Sequence, residues 1–202
     1  MIDDLDKSLE ELLKRELPRA LVQQVAISFA TPDNQFPPAT VTPPAVDLFL
    51  YDIRENRELR SNEWLVERHS DGSASRKRSP VRVDCSYLIT AWASESSPNP
   101  AQDEHRLLSE VMKALLRHPN LPTAVLQGSL AGQEPPLPSG VLQPGLLQSL
   151  GEFWQALGGK PKASLHYTVT LGVEVFAPEE AAPLVRDKLL KFSQFAPEES
   201  AS

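Results

Sequence analysis

Val81-Arg82-Val83-Asp84-Cys85-Ser86-Tyr87-Leu88-Ile89-Thr90-Ala91-Trp92-Ala93 alternates along its whole length. Val83, Cys85, Tyr87, Ile89 and Ala91 fall on one side of an extended chain. Asp84, Ser86, Leu88, Thr90 and Trp92 fall on the other. This is a β-strand with one strongly apolar face, and such a face must be covered by a second layer. The strand is long, and it is expected to run beyond the core and pair with a ribbon formed from the preceding segment.

Two other stretches have the same character. In 46–53, Val46, Leu48 and Leu50 share one face and Phe49, Tyr51 and Ile53 the other, so this strand belongs inside the sheet. In 162–176, Leu165, Tyr167, Val169, Leu171, Val173 and Val175 alternate with His166, Thr168, Thr170 and Glu174. Shorter strands are expected at 25–30 and 121–130. Between 56 and 80 the chain is polar apart from Trp64, Leu65 and Val66. Asp71-Gly72 signals a tight turn there. Two readings stay open for 56–80: a β-hairpin, or a flexible loop.

Helical spacing supplies the covering layer. Ile2, Leu5, Leu9, Leu12 and Leu13 form an apolar stripe. Acid-first pairs Asp3/Lys7, Glu10/Lys14 and Glu11/Arg15 support it, and Leu17-Pro18 ends it. A central helix begins at Asn99 as N-cap with Pro100 in the first turn. It presents Leu107, Leu108, Val111, Met112, Leu115 and Leu116, and Pro119 stops it. A third helix is expected from Pro144, with Leu146, Leu147, Leu150, Phe153, Trp154 and Leu157 inward and Gly158 closing it. A short amphipathic helix is expected at 181–192, and disorder at 196–202. Segments 31–44 and 132–144 are proline-rich loops. No internal repeat is apparent.

The fold class is therefore α/β (α+β). It is a single domain with a mixed, mostly antiparallel sheet, about three helices and a hairpin or ribbon extension. The expected organisation is a domain over 1–177, with 178–202 as a C-terminal helix and tail.

Composition narrows the function. The chain has 202 residues, a net charge of −7, 41% hydrophobic residues, nineteen prolines and nine glycines. An acidic balance argues against a nucleic-acid surface. Cys85 is the lone cysteine, so an internal disulfide and a thiolate metal site are excluded. The charged N-terminus has no signal-peptide pattern, and no run is long enough to cross a bilayer. Membrane insertion is not expected, and synthesis in the cytoplasm is.

Chemistry leaves little trace. His69, His105, His118 and His166 lack a second metal-type ligand at helical spacing. No phosphate-cradling loop or nucleophile elbow is present. Cys85 reads as a buried structural thiol, and Glu179-Glu180 as solvated charge. No catalytic, cofactor or metal residue is assigned, and no enzyme is expected. One feature stands out on this acidic chain: Arg76-Lys77-Arg78, with Arg68 and Trp64 nearby. It is either a solvated loop or a contact arm for an acidic partner or a neighbouring strand. Trp64, Arg68, Arg76, Lys77 and Arg78 are the candidate partner contacts.

Four phrases in order add a resemblance. They are Leu50-Tyr51-Asp52-Ile53-Arg54-Glu55-Asn56-Arg57-Glu58-Leu59-Arg60, then 81–92, then Asp103-Glu104-His105-Arg106-Leu107-Leu108. The fourth is Leu150-Gly151-Glu152-Phe153-Trp154-Gln155-Ala156-Leu157-Gly158-Gly159-Lys160-Pro161. Together they resemble the tail-terminator, or cap, proteins of phage-tail-like contractile injection systems, over roughly 2–176. The resemblance implies a compact α/β domain in a homo-hexameric ring at the distal end of the inner tube and sheath. There it ends polymerisation and couples sheath to tube. It also implies cytoplasmic assembly, followed by residence in a particle that acts outside the cell. Some relatives carry further C-terminal domains, and functions tied to those are not carried over. The alternative is an adaptor or assembly chaperone for free tube or sheath subunits. In the ring, the long strands and ribbon would dock and the proline-rich loops would form the blunt side.

Overall fold

The structure is a computed structural model; residues 1–70, 73–133, 136–143 and 149–180 are described. The chain divides into two units. The first is formed by 1–61 and 80–174, the second by 62–79 and 175–202.

In the first unit, helix α1 (Ile2–Glu16) is followed by the single turn α2 (Arg19–Val22) and strand β1 (Ala26–Ser28). Strand β2 (Ala45–Glu55) comes next. The ribbon strands β3 (Trp64–Arg68) and β4 (Ala74–Arg78) intervene and belong to the second unit. Strand β5 (Val81–Trp92) and helix α3 (Pro100–Leu116) return to the first unit. Strand β6 (Ser139–Val141), helix α4 (Leu150–Ala156) and strand β7 (Ser164–Val173) complete it. Strand β8 (Glu179–Glu180) belongs to the second. The result is α+β, as the alternating and helical spacings predict.

The five-stranded sheet runs β1-β2-β5-β7-β6. Only the β1–β2 pair is parallel; the other ladders are antiparallel. One face carries Val46, Leu48, Cys85, Tyr87, Ile89, Ala91, Leu165, Tyr167, Val169 and Leu171. It meets Leu5, Leu9, Leu12 and Leu13 of α1 and Leu107, Leu108, Val111 and Leu115 of α3 in one buried cluster. The four α1 leucines are fully buried. Each contributes about 1.5–3 kcal/mol through removal from water. The Tyr87 hydroxyl donates to Asp6 Oδ1 at 2.8 Å, tying α1 to β5. At the far end of both helices Glu16 meets Arg117 at 3.2 Å and His118 at 3.3 Å.

The opposite face changes character along its length. At one end Phe36, from the proline-rich loop, lies on Trp92 with ring centroids 4.3 Å apart. Phe153 of α4 approaches Phe49 and Tyr51. At the other end the face is polar. Asp84 accepts hydrogen bonds from Thr170 and Asn56, and the hydroxyls of Ser86 and Thr168 lie 3.1 Å apart.

Several expectations are corrected. A bulge at Tyr51 interrupts the β2–β5 register, so Ile53 comes opposite Cys85 and leaves the face it was expected to share with Phe49. It is half exposed there. Strand β5 pairs with β2 and β7 along its length and does not pair with the ribbon. Residues 121–130 form two short 3₁₀ turns, Thr123–Val125 and Gly128–Leu130, in place of a strand. The cause is side-chain capture by α1. Ser8 Oγ accepts the Gln127 N–H at 2.9 Å, and Asp4 accepts both the N–H and the hydroxyl of Ser129.

The expected loop 132–144 contains β6, which adds to the edge of β7. Asn99 occupies the N-cap position without capping through its side chain. Ser97 Oγ accepts the Asn99 N–H and donates to Asp103. Helix α4 is capped by Ser149 Oγ, which accepts the Glu152 N–H. Leu150 and Val175, expected inward, are exposed. The Asp71-Gly72 turn, the helix start at 144–147, the 181–192 helix and the 196–202 tail lie outside the described residues.

Candidate interaction surface

The second unit is where the singled-out basic residues lie. Strands β3 and β4 form an antiparallel ribbon with Trp64 opposite Arg78, Val66 opposite Arg76 and Arg68 opposite Ala74. Of the two readings left open for 56–80, the hairpin is the one observed. Alternation then sorts the side chains. Trp64, Val66, Arg68, Arg76 and Arg78 share one face. Leu65 and Lys77, opposite one another, share the other.

On the first face two guanidinium groups lie over one indole. The Cζ atoms of Arg76 and Arg78 are 4.4 and 5.1 Å from the Trp64 ring centroid. Such stacking is worth about 0.5–1 kcal/mol at exposed sites and fixes the guanidinium planes. Arg78 is also 5.0 Å from the ring of Phe176. Arg76 Nη2 donates to Glu179 Oε2 at 3.0 Å. Glu179 and Glu180 form β8, antiparallel to β4, with Glu179 opposite Arg76. The pair read as solvated tail charge is therefore a short acidic strand seated on a basic one. All five β3 residues are exposed, including Trp64, Leu65 and Val66.

The structure thus brings Trp64, Arg76 and Arg78 into contact, places Arg68 on their face and Lys77 on the reverse. Phe176 and Glu179 were missed, because a two-residue strand leaves no periodicity to read.

In the first unit the sheet edges are managed differently. Beyond β6, Leu142 donates to the His166 carbonyl and Thr170 donates to that of Pro138. Gln133 donates to the Gly172 carbonyl. These contacts cover the outer edge of β7 and leave little ladder to extend.

Titratable groups in this unit are shifted chiefly by burial. Asp47 is fully buried, and neither carboxyl oxygen has a hydrogen-bond partner. Burial raises its pKa to about 7; the nearby Ser28 hydroxyl and Ala30 N–H offset only part of the shift. Burial pushes the Cys85 thiol up to about 11. His166 is lowered by burial and lies 3.3 Å from the Tyr51 hydroxyl. Hydrogen bonds from Ser129 hold Asp4 well below the usual carboxylate range. Among the described residues no group of three His, Cys, Asp or Glu side chains is placed to hold a metal ion. No described helix is long and apolar enough to cross a membrane.

The Pvc16 N-terminal domain family matches residues 4–187. Among solved structures, the chain is similar to the sheath/tube terminator of PVC, an extracellular contractile injection system, in its extended state. The TM-score is 0.67 and the identity 30%, over 97% of this chain and 64% of that one. It is also similar to the tube-terminating cap of the anti-feeding prophage, with a TM-score of 0.65 and 28% identity over 95% of this chain and 61% of that one. The chain therefore spans under two thirds of the length of either. No curated protein matches the sequence.

Proposed function

The chain belongs to the Pvc16 N-terminal domain family, and from that premise we propose that it is a structural terminator subunit of a contractile injection system. The observation that carries this reading is the likeness to the PVC sheath/tube terminator over 97% of this chain. Copies assemble into a homo-hexameric ring on the last layer of inner tube and sheath. The ring stops subunit addition and joins the two structures there. Its role is assembly, not catalysis.

The physical features suit this work. A ring needs heterologous contacts that close by rotation. It must offer pairing edges towards its partners and hide the rest. The ribbon, with an exposed outer strand and stacked arginines, is the docking element, and Trp64, Arg68, Arg76, Lys77 and Arg78 are its contacts. The covered β7 edge is a side that does not propagate. Assembly takes place in the cytoplasm, and the finished particle carries the ring outside the cell.

The test is electron microscopy of particles made with and without this gene, scoring tube and sheath length and the state of the distal end. Loss of uniform length or of the cap is expected. Normally capped particles of unchanged length would overturn the reading.

A further inference from the structure

The chain contains one pentapeptide twice. Phe176-Ala177-Pro178-Glu179-Glu180 recurs, identical at all five positions, as Phe195-Ala196-Pro197-Glu198-Glu199. The recurrence corrects the expectation of no internal repeat, since five residues are too few to register as a periodic element. It gains meaning only from what the first copy does.

The first copy binds the ribbon. Glu179 lies opposite Arg76 in the ladder, and its carboxylate accepts a hydrogen bond from the Arg76 guanidinium at 3.0 Å. The Phe176 ring lies beneath Arg78. Backbone and side chains therefore recognise the same segment: an extended strand with an acid placed on arginine and a ring placed on another. This is strand addition with charge complementarity.

The ribbon has a second edge. Ser79 donates to the Glu63 carbonyl and His69 donates to that of Ser73. By antiparallel alternation, residues 63, 65, 67 and 69 direct their backbone groups towards β4. The N–H and C=O groups of Trp64, Val66 and Arg68 then point away from β4. No described strand pairs with that side of β3. Arg68, Arg76 and Arg78 line the face that flanks this edge.

We propose that residues 195–199 of a second copy of this chain add to the outer edge of β3, setting Glu198 against the arginine-lined face as Glu179 is set against Arg76. Each ribbon then holds two copies of the pentapeptide: its own 176–180 on β4 and a neighbour's 195–199 on β3. Fourteen residues lie between Glu180 and Phe195. Fully extended they reach at most about 50 Å, enough to span to an adjacent subunit. The contact is head-to-tail, the kind a closed ring requires. The proposal deepens the assignment of the ribbon as docking element and rests on it.

The test places a photo-crosslinking amino acid at Val66 in the full-length chain and mixes this protein with an isotopically heavy, unsubstituted copy. Light-to-heavy crosslinks mapping to 195–199 are expected. Glu198→Lys with Glu199→Lys in the heavy copy should lower their yield about tenfold, the equivalent of 1.4 kcal/mol. A synthetic peptide of residues 193–202 should compete them away, and the same peptide with both glutamates replaced by alanine should not. Crosslinks to 195–199 confined to the light chain would mean that the segment folds back on its own ribbon, and would overturn the proposal. So would the absence of any crosslink to 195–199. The terminator reading is tested separately by particle length, so either can fail alone.

Discussion

Gly128 passes so close to Asp4 that a Cβ on it would lie 2.3 Å from Asp4 Oδ1. Its φ of +54° is left-handed. One residue thus satisfies two demands: a turn that L side chains resist, and room for a carboxylate that holds the next residue's N–H and hydroxyl. Gly128→Ala should lower stability by about 1–2 kcal/mol from the backbone alone. Displacement of Asp4 adds to that. Urea denaturation at constant m-value measures it. A midpoint within error of the native protein would show that the tie between α1 and this turn is dispensable.

Asp47 gives the fold a pH dependence. Its ordinary pKa is 3.8, and burial raises it to about 7. Between these values the folded chain holds a proton that the unfolded chain has released. Stability from this group is therefore full below pH 3.8 and falls as pH rises to 7. The loss is on the order of 4 kcal/mol. Asp47→Asn should raise the melting temperature at pH 8 relative to the native chain, and the gain should shrink towards pH 4. An equal difference at both pH values would refute the assignment.

Tyr87→Phe removes the hydroxyl that donates to Asp6. A hydrogen bond to a charged acceptor is worth about 1.5–3 kcal/mol. A double-mutant cycle with Asp6→Ala isolates the coupling between the two side chains. Additive losses would mean that the pair is not coupled.

The ribbon should be separable from folding. Deleting residues 70–79 removes β4 but none of the cluster shared by α1, α3 and the five-stranded sheet. The melting transition should be retained and incorporation into particles lost. Normal capping by this deletion would remove the ribbon from the mechanism.

Gly172 lies among Gln133, Arg82 and Pro80, each 3.3–3.4 Å from the position a Cβ would take. Gly172→Ala should cost about 1–3 kcal/mol through overpacking. Calorimetry measures it, and no loss would show that Gln133 and Arg82 can move aside freely.

Long periods were legible in the sequence; short contacts were not. Val81 to Ala91 announces its buried face because alternation persists through the strand, and the stripe from Leu5 to Leu13 does the same for α1. The three-residue strand β6 and the pair Glu179-Glu180 are too short to carry a period. Each is a strand only because an edge lies ready to receive it. Residues 121–130 read as extended because nothing local reveals that Asp4 and Ser8, more than a hundred positions earlier, take their backbone donors. The basic cluster was found by its contrast with an acidic chain. Its stacking on Trp64 required the register, which places Arg78 opposite Trp64 and Arg76 two residues along the same face.

Cys85 sits fully buried at the middle of the central strand, and it is the chain's only thiol. It therefore works as a clock. A thiol reagent reaches it only when β5 parts from its neighbours, so labelling follows opening of the sheet and ignores movements of the ribbon. Compared between the free chain and the ring proposed above, that single rate would report how far assembly slows the breathing of each copy.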